Sequence, residues 1–463
     1  MKGSSLSRRK FLMQAAAVGA GMALAACAPA GTPAAPQPTA AGETPAPAPK
    51  EAVTIEIWNA NWGELYNDLM KRIGDEFEAE HPEIKLQWSF NDEWQEKWLT
   101  AVAAGIPPDC GYTNWEGLAT LAHGKAVIAL DDYFAASGIK PEDFVTSMIK
   151  NATYEGKIYA IPGGCDYDWL LYNKTVYEEA GLDPEKPPVT FDEWVQHSEK
   201  IYQYDSAGNI TRMGMDPRAG GLYRTGFQFG GEFYDEANRK VTCNEGGVVK
   251  ALEFEVELAK KWPVEKVSAF TAGLPGYSQP NSGFATGKQA YLYPGGAFWA
   301  MESFDKYAPD LKYGAAFIPT LTPDPKEREL YMWIGWHYSI PTGAKNKDAA
   351  WQFMKYAFYD KAARMGVVTL NGCCVKAQLT DWVEGLKDYF GPDNRVIPYL
   401  PILGEIAAVS AKYWPPIPVA SRYLDEVNRA EDFAVRGEKT AQQALDECAE
   451  IVQKELEAAL KGS

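Results

Sequence analysis

The chain has 463 residues, among them 15 tryptophans, and a formal net charge of −17 at pH 7. So acidic a chain is repelled by phosphate backbones and anionic lipid headgroups, which argues against a nucleic-acid-binding protein. The residues after position 50 are too many for one simple core and enough for two lobes.

The first 26 residues have the features of a twin-arginine lipoprotein signal peptide. The stretch SRRKFL at residues 7–12 is the arginine pattern, and a weakly apolar segment follows it. This segment ends in Leu-Ala-Ala-Cys, the box in which Cys27 takes a lipid group. An uncleaved amphipathic helix is the alternative, and lipidation of Cys27 is the prediction.

Residues 27–52 are rich in proline, alanine and threonine, and the segment has few residues that could bury a core. This composition predicts a semi-extended tether. The body would then be held on the outer face of the cell membrane or in the periplasm. No later apolar run is long enough to span a bilayer.

Cysteines and histidines do not predict a metal site. Six cysteines follow Cys27, and in an exported chain they allow fifteen complete pairings, so their connectivity stays open. They are Cys110, Cys165, Cys243, Cys373, Cys374 and Cys448. Cys448 shares one face of the last predicted helix with Leu445 and Val452, which favours a core position. The spacings match no zinc motif, the four histidines are scattered, and no metal or cofactor is predicted.

The body begins with alternating strands and helices. Residues 53–58 and 84–90 alternate as strands, residues 65–77 and 94–104 have helical periodicity, and a short strand follows at 110–113. This order predicts a mainly parallel sheet covered by helices.

Ligands of such sheets bind beyond the carboxyl ends of the strands. Tryptophans, amides and acids occur at three of these ends, which predicts a binding site there. The candidate residues are Trp58, Asn59, Trp62, Asn91, Trp115 and Glu116.

Farther along, local signals mark helix boundaries. Thr190 and Glu193 have the spacing of a capping box, and Thr440 and Gln443 have the same spacing before the final helix. Gly181 is placed to end a helix.

A series of short motifs resembles extracellular solute-binding proteins of family 1, the maltose-binding type. The motifs are EGKIYAIP (155–162), LYNK (171–174), EAGLDP (179–184), TFDEW (190–194), GFATGK (283–288), GGAFW (295–299) and IPTGAKNK (340–347). Their order extends over most of the chain after residue 53. These proteins deliver a captured solute to an ABC importer.

The resemblance implies a two-lobed, type II-like periplasmic-binding-protein fold, in which each lobe is a mainly parallel sheet flanked by helices. Residues 53–162 plus 335–375 would form the first lobe, and residues 163–334 plus 376–463 the second. The chain would cross between the lobes near residues 161–165, 331–336 and 370–378. In this interpretation the glycine pair Gly163-Gly164 is a hinge.

The resemblance also implies a function: a monomeric binding lipoprotein, not an enzyme, that captures a carbohydrate and passes it to permease subunits. By position, the motifs add the ligand-binding candidates Asp166, Tyr223, Arg224, Phe298, Trp299, Trp336, Trp414 and Tyr423. Asp166 lies six residues before Tyr172, where relatives carry a cleft carboxylate. A turn-capping role is the alternative for Asp166 and is favoured for Asp168, and core packing is the alternative for the aromatic residues.

Two other functions stay open at this stage. Arg218 and Arg224 are basic residues near the predicted site, so the ligand could instead be a glycerol phosphate or another small anion. An exported glycoside hydrolase would need two opposed carboxyl groups, and the sequence marks out no such pair. Cys373-Cys374 departs from the family by replacing a proline-containing turn.

Overall fold

The computed structural model describes residues 52–92, 94–166, 169–276, 279–292, 299–332 and 334–461, without the side chains of Leu65, Trp94 and Trp299. The predicted signal peptide, Cys27, nearly all of the tether, Asp168 and Phe298 lie outside the described residues. None of the described helices is long and apolar enough to cross a membrane.

A five-stranded mixed sheet forms the base of the first lobe, with the strand order β2-β1-β3-β14-β6. Its strands are β1 (Val53–Ala60), β2 (Ile84–Asn91), β3 (Cys110–Asn114), β6 (Ile161–Cys165) and β14 (Gly335–Ser339). β1 pairs in parallel with β2 and β3, as predicted. β14 is antiparallel to both of its neighbours, since it enters the sheet from the second lobe.

A three-stranded sheet lies in the second lobe, with the order β12-β7-β13. Its strands are β7 (Trp169–Asn173), β12 (Tyr291–Leu292) and β13 (Tyr313–Phe317). Both pairings are antiparallel, which corrects the prediction of a mainly parallel sheet in this lobe. The reason is the chain path, because β7 leads away from the first lobe and β13 leads back toward it.

Helices cover both sheets, and short hairpins complete the fold. The helices are α1 (Glu64–Glu80), α2 (Trp94–Ala103), α3 (Leu118–His123), α4 (Asp131–Ala136), α5 (Thr146–Asn151), α6 (Lys174–Glu179), α7 (Phe191–Ile201), α8 (Leu222–Gln228), α9 (Gly246–Lys261), α10 (Val264–Thr271), α11 (Trp299–Tyr307), α12 (Lys347–Lys355), α13 (Ala362–Thr369), α14 (Leu379–Phe390), α15 (Leu400–Val409), α16 (Ala420–Val435) and α17 (Ala441–Lys461). The hairpin strands are β4 (Thr153–Tyr154), β5 (Lys157–Ile158), β8 (Gln203–Tyr204), β9 (Ile210–Arg212), β10 (Tyr234–Asp235) and β11 (Lys240–Val241).

Both predicted capping boxes are confirmed. Thr190 Oγ1 accepts from the backbone N–H of Glu193, and the Glu193 carboxylate accepts from the backbone N–H of Thr190. Thr440 and Gln443 make the same reciprocal pair of bonds before α17. These bonds satisfy N–H groups that a helix start leaves unpaired.

The glycine pair Gly163-Gly164 lies inside β6 and not at the crossing between lobes. Neither residue has a positive φ. A Cβ at Gly163 would lie 2.2 Å from the Trp336 ring, and one at Gly164 would lie 2.5 Å from it. The glycines are therefore required by the ring packed across them. The chain leaves the first sheet only after Cys165, which corrects the predicted hinge position.

The second lobe has its own helical core. α9 packs against α8, α16 and α17, and buried side chains such as Leu252, Val427 and Leu445 fill the space between them. In the first lobe, α13 packs against α1.

Candidate functional site

Four aromatic rings meet at the carboxyl ends of β1 and β3. The Trp62 indole lies 4.6 Å from the ring of Tyr66, 5.2 Å from Tyr112 and 6.5 Å from Trp336, measured between centroids. We call these four residues the first aromatic cluster. Tyr66, Tyr112 and Trp336 are buried, whereas Trp62 is 48% exposed. Trp62 is therefore the ring that the cluster presents to solvent.

Local chain geometry places Trp62 there. β1 ends at Ala60, and Gly63, with a φ of +99°, starts the turn into α1. A residue with a side chain would be strained at this φ. The tight turn holds Trp62 beyond the strand end, and Tyr66 supports it from the first turn of α1.

A second group of rings joins β3 to α8. Trp115 stacks on Tyr223 with centroids 6.0 Å apart and planes at 22°, and it meets Trp414 edge-on at 6.2 Å. The Arg224 guanidinium lies 4.5 Å from the centroid of the Tyr223 ring, which is cation–π distance. Trp115, Tyr223, Arg224 and Trp414 are called the second aromatic cluster.

Asp166 lies within electrostatic range of both clusters. Its backbone N–H donates to the carbonyl of Ile334 at 3.0 Å. Burial is the main reason that the pKa values of Tyr66 and Tyr112 are raised, and the charge of Asp166 raises them further. Desolvation raises the pKa of the Asp166 carboxyl, and the Arg224 guanidinium lowers it. Asp166 itself is exposed to solvent, directly after the last residue of β6.

Glu116 supplies a second carboxyl beside Trp115. Desolvation raises the pKa of Glu116 to about 7, and the nearby charge of Asp425 adds to this effect. Its Oε1 accepts a short bond from the Asn114 amide. Its Oε2 is shielded from solvent and has no hydrogen-bond partner among the other described residues. Near neutral pH this group can therefore exist as a neutral acid that donates a hydrogen bond or as a carboxylate that accepts one.

Three hydrogen bonds join the segment 414–421, which is predicted to belong to the second lobe, to residues 116–151. The Ser421 hydroxyl donates to the Glu116 carbonyl at 3.0 Å, and the Thr120 hydroxyl donates to the Pro418 carbonyl at 2.7 Å. The Asn151 amide donates to the Trp414 carbonyl at 2.9 Å. We call these three bonds the interlobe seam. They hold the loop before α16 against the strand-end region of the first lobe.

Several predicted site residues instead belong to the packing of the lobes. Trp414 and Tyr423 are fully buried, and they donate to the carbonyls of Ala420 at 3.0 Å and Phe233 at 2.6 Å. Their rings therefore pack behind the candidate site, since Trp414 contacts Trp115 and Tyr423 contacts Trp414. Because its indole N–H donates to Glu56 at 2.7 Å, Trp58 points back along β1 and away from the strand end.

The other predicted site residues that the structure describes are two asparagines, Asn59 and Asn91, and two tryptophans, Trp299 and Trp336. Asn59 is fully buried beside Tyr66. Asn91 is half-buried at the end of β2, where its Oδ1 accepts from Lys97 at 3.1 Å. Trp336 is buried within the first aromatic cluster and covers the β6 glycines. Trp299 begins α11, but nothing is described of its side chain.

Sequence reasoning missed Tyr66 and Tyr112. Tyr66 lies three residues after Gly63 in a stretch that shows ordinary helical periodicity, and Tyr112 lies inside a short strand. Alternation of side chains along β3 did place residue 112 on the same face as Asn114. That alternation was the one available signal for Tyr112.

The combined arrangement suits a neutral polyol. Aromatic faces cover apolar C–H surfaces, and carboxylates accept charge-assisted bonds from neighbouring hydroxyls. The exposed Trp62 ring, the Trp115–Tyr223 stack and the carboxyls of Asp166 and Glu116 provide both kinds of surface. No group of metal-ligating side chains occurs among the described residues.

Comparison with protein families now identifies the class. Residues 59–364 match the model of the bacterial extracellular solute-binding proteins. The chain therefore belongs to this family, whose members bind solutes outside the cytoplasm. Among curated relatives, a maltotriose-binding protein from Pyrococcus abyssi is 23% identical over 65% of this chain. The glycerol-3-phosphate-binding periplasmic protein UgpB of Shigella flexneri is 28% identical over 32% of this chain.

These alignments span 62% of the maltotriose-binding protein and 35% of UgpB. Solved structures match over a longer range. CpMnBP1 with mannotriose bound has a TM-score of 0.69 and 26% identity, covering 86% of this chain and 99% of its own. The sugar-binding protein MalE of Xanthomonas citri has a TM-score of 0.68 at 20% identity, covering 88% and 98%. The fold is thus that of two-lobed periplasmic binding proteins, as predicted.

Proposed function

We propose that this protein is the carbohydrate receptor of an ABC importer and binds a mono- or oligosaccharide between its lobes. One observation carries the proposal: an exposed tryptophan of the first lobe, Trp62, shares the strand-end region with the cross-lobe stack of Trp115 on Tyr223. Asp166 lies within electrostatic range of both groups. In this proposal the sugar ring lies on Trp62, and Asp166 and Glu116 bind its hydroxyls.

The relatives favour a carbohydrate of more than one ring. The names of the Pyrococcus relative and of CpMnBP1 refer to maltotriose and mannotriose, which are both trisaccharides. A ligand that touches both lobes would favour the closed arrangement by its additional contacts there.

A small anion such as a glycerol phosphate is the second candidate, since UgpB is a relative and Arg224 lies in the site. The surroundings of Arg224 speak against it. Arg224 is buried, and its guanidinium lies on the Tyr223 ring and interacts with the charge of Asp166. A phosphate there would meet the Asp166 carboxylate as well as the cation, so a neutral ligand fits better.

Lipidation of Cys27 and delivery to permease subunits belong to the same proposal. Cys27 and its box support an anchored receptor, and the tether would keep the body near the importer. Fractionation of a Cys27→Ser variant tests the anchor. The variant should be released or remain unprocessed, and a processed variant that stays in the membrane would refute lipidation.

A thermal-shift screen tests the ligand class. Purified full-length protein is heated with mannotriose, maltotriose, sn-glycerol 3-phosphate or an amino acid. A ligand that binds only the folded state at a hundred times its Kd stabilises it by about 2.7 kcal/mol. We expect a rise in Tm with a trisaccharide. A rise in Tm with sn-glycerol 3-phosphate alone would mean that the ligand is a small anion and not a carbohydrate.

A further inference from the structure

Four of the six described cysteines form two close pairs. The Sγ atoms of Cys165 and Cys374 lie 3.6 Å apart, and those of Cys243 and Cys448 lie 3.7 Å apart. All four side chains are buried. In sequence, the partners are 209 and 205 residues apart, so each contact is a product of the fold.

The first pair lies where the chain leaves the first sheet. Cys165 is the last residue of β6, and its carbonyl accepts from the Gly372 N–H at 2.9 Å. This backbone bond aligns the segment of Cys374 beside the strand. The neighbouring Cys373 is turned elsewhere, since its thiol lies 3.6 Å from the Val375 carbonyl.

The second pair lies in the helical core of the second lobe. Cys243 follows the short strand β11, and Cys448 lies in α17. The backbone around Cys243 is held by hydrogen bonds from the neighbouring residues. The Val241 N–H donates to Gln453 of α17 at 2.9 Å, and the Thr242 N–H donates to the Phe233 carbonyl at 3.0 Å.

We propose that these are two disulfide sites, Cys165–Cys374 and Cys243–Cys448, which form when the chain meets an oxidising compartment. A disulfide bond is about 2.05 Å long, so each sulfur pair must close by about 1.6 Å, a movement within reach of side-chain rotation. Membership of an extracellular family places the chain where disulfides persist. Cys110 and Cys373 stay as thiols.

The chemistry requires an external oxidant of the disulfide class, such as oxidised glutathione or an oxidised dithiol oxidoreductase. A cysteine thiolate attacks the oxidant's disulfide and forms a mixed disulfide, and the partner cysteine then displaces the second thiol. Each pair loses two protons and two electrons, and the oxidant is reduced to two thiols. Burial raises the pKa of Cys165 and holds it as the unreactive thiol, so the bond forms fastest before the site is fully enclosed.

Thiol mapping tests the proposal independently of ligand binding. Full-length protein is refolded with oxidised or reduced glutathione, alkylated under denaturing conditions and digested, and Cys27 is mapped separately. We expect cross-linked Cys165–Cys374 and Cys243–Cys448 peptides after oxidation, with Cys110 and Cys373 alkylated. A map with all six body cysteines alkylated would overturn the proposal, and so would links between other partners. A single missing link overturns the proposal for that pair.

Variants connect the links to stability. The oxidised protein should melt several degrees above the reduced protein, because each link closes a long loop in the unfolded chain. Cys165→Ala should remove part of this difference, and Cys165→Ala combined with Cys243→Ala should remove all of it. Cys373→Ala is the matched control, since it lies next to Cys374 and should keep the whole difference. An unchanged difference in the double variant would contradict the assignment.

Discussion

The Trp115 indole stacks on the Tyr223 ring with centroids 6.0 Å apart and planes at 22°, and this contact joins the end of β3 in the first lobe to α8 in the second. Both side chains are only half-buried, so the stack has a solvent-facing edge. Stacked pairs of this kind stabilise by about 0.5–1.5 kcal/mol beyond the area they bury. The stack thus couples the position of the lobes to the proposed binding site.

A double-mutant cycle on Trp115 and Tyr223 should show this coupling. Trp115→Ala and Tyr223→Ala should each lower the free energy of unfolding, and their effects should be non-additive by about 0.5–1.5 kcal/mol. Urea unfolding of the two single variants and the double variant measures the difference. The control cycle pairs Trp115→Ala with Tyr133→Ala, whose ring packs on Trp351. Additive effects in the Trp115–Tyr223 cycle would mean that the stack does not stabilise the protein.

Asp166→Asn should leave the fold intact and weaken sugar binding by about 1.5–3 kcal/mol, the range for a hydrogen bond to a charged group. The amide keeps the size of the side chain but loses its charge. Calorimetric affinities of the wild type and the variant provide the measurement, and Asp132→Asn on the exposed side of α4 is the control. Equal affinities for wild type and Asp166→Asn would assign this aspartate to turn-capping.

Glu116→Gln should change the pH dependence of stability. The pKa of Glu116 is about 7 in the folded protein, against an ordinary value of 4.5. Between these values the folded state holds a proton that the unfolded state has released, so the contribution of Glu116 to stability falls as pH rises from 4.5 to about 7 and levels off above that. The glutamine variant lacks this contribution, and its stability should fall less between pH 5 and pH 8. Denaturant titrations at several pH values measure the free energy of unfolding of both proteins.

The control for this experiment is Glu64→Gln, which replaces an exposed glutamate at the start of α1. It should follow the pH profile of the wild type. If Glu116→Gln follows the wild-type profile too, the Glu116 carboxyl is not desolvated in the folded protein.

Gly163→Ala and Gly164→Ala should each destabilise the protein by about 1–3 kcal/mol, the cost of forcing extra volume into a packed site. The new methyl group would overlap the Trp336 ring. Gly404→Ala is the control, because no atom lies within 4 Å of a Cβ at that helical position. Trp336→Leu should recover part of the loss in the Gly163→Ala background. Wild-type stability in both alanine variants would contradict the packing of this ring on β6.

Much of the fold could be predicted from the sequence because its signals are local. The alternation of Ile55 and Ile57 in β1 and the Thr190 capping box depend on neighbours a few residues away. The second sheet could not be predicted in this way, since the antiparallel direction of β13 depends on where the chain re-enters the first lobe. Gly163 was misinterpreted for the same reason, because its partner Trp336 is distant in sequence.

The candidate site was predictable to the extent that strand ends mark it. Trp62 lies just beyond the end of β1, and Trp115 and Glu116 lie just beyond the end of β3, as the strand pattern indicated. Their part in binding stays a prediction. Trp414 and Tyr423 are aromatic and lie at the expected places in the motif order, but both are fully buried and so pack within the protein. Their burial depends on helices that are distant in sequence. Tyr112 was missed because it lies inside the buried strand β3 and not beyond its end.

The measurement that tests the central claim most directly is a calorimetric titration of mannotriose and maltotriose into the wild type and Trp62→Ala. Wild-type protein should bind at least one trisaccharide with micromolar affinity, about −8 kcal/mol. Trp62→Ala should weaken trisaccharide binding tenfold or more, about 1.4 kcal/mol, because the exposed indole on which the sugar ring is proposed to lie is removed. Tyr307→Ala, which removes another exposed ring, should bind as the wild type does. Trisaccharide binding of equal strength in wild type and Trp62→Ala would contradict the proposed site, and binding of sn-glycerol 3-phosphate with no response to either sugar would contradict the proposed function.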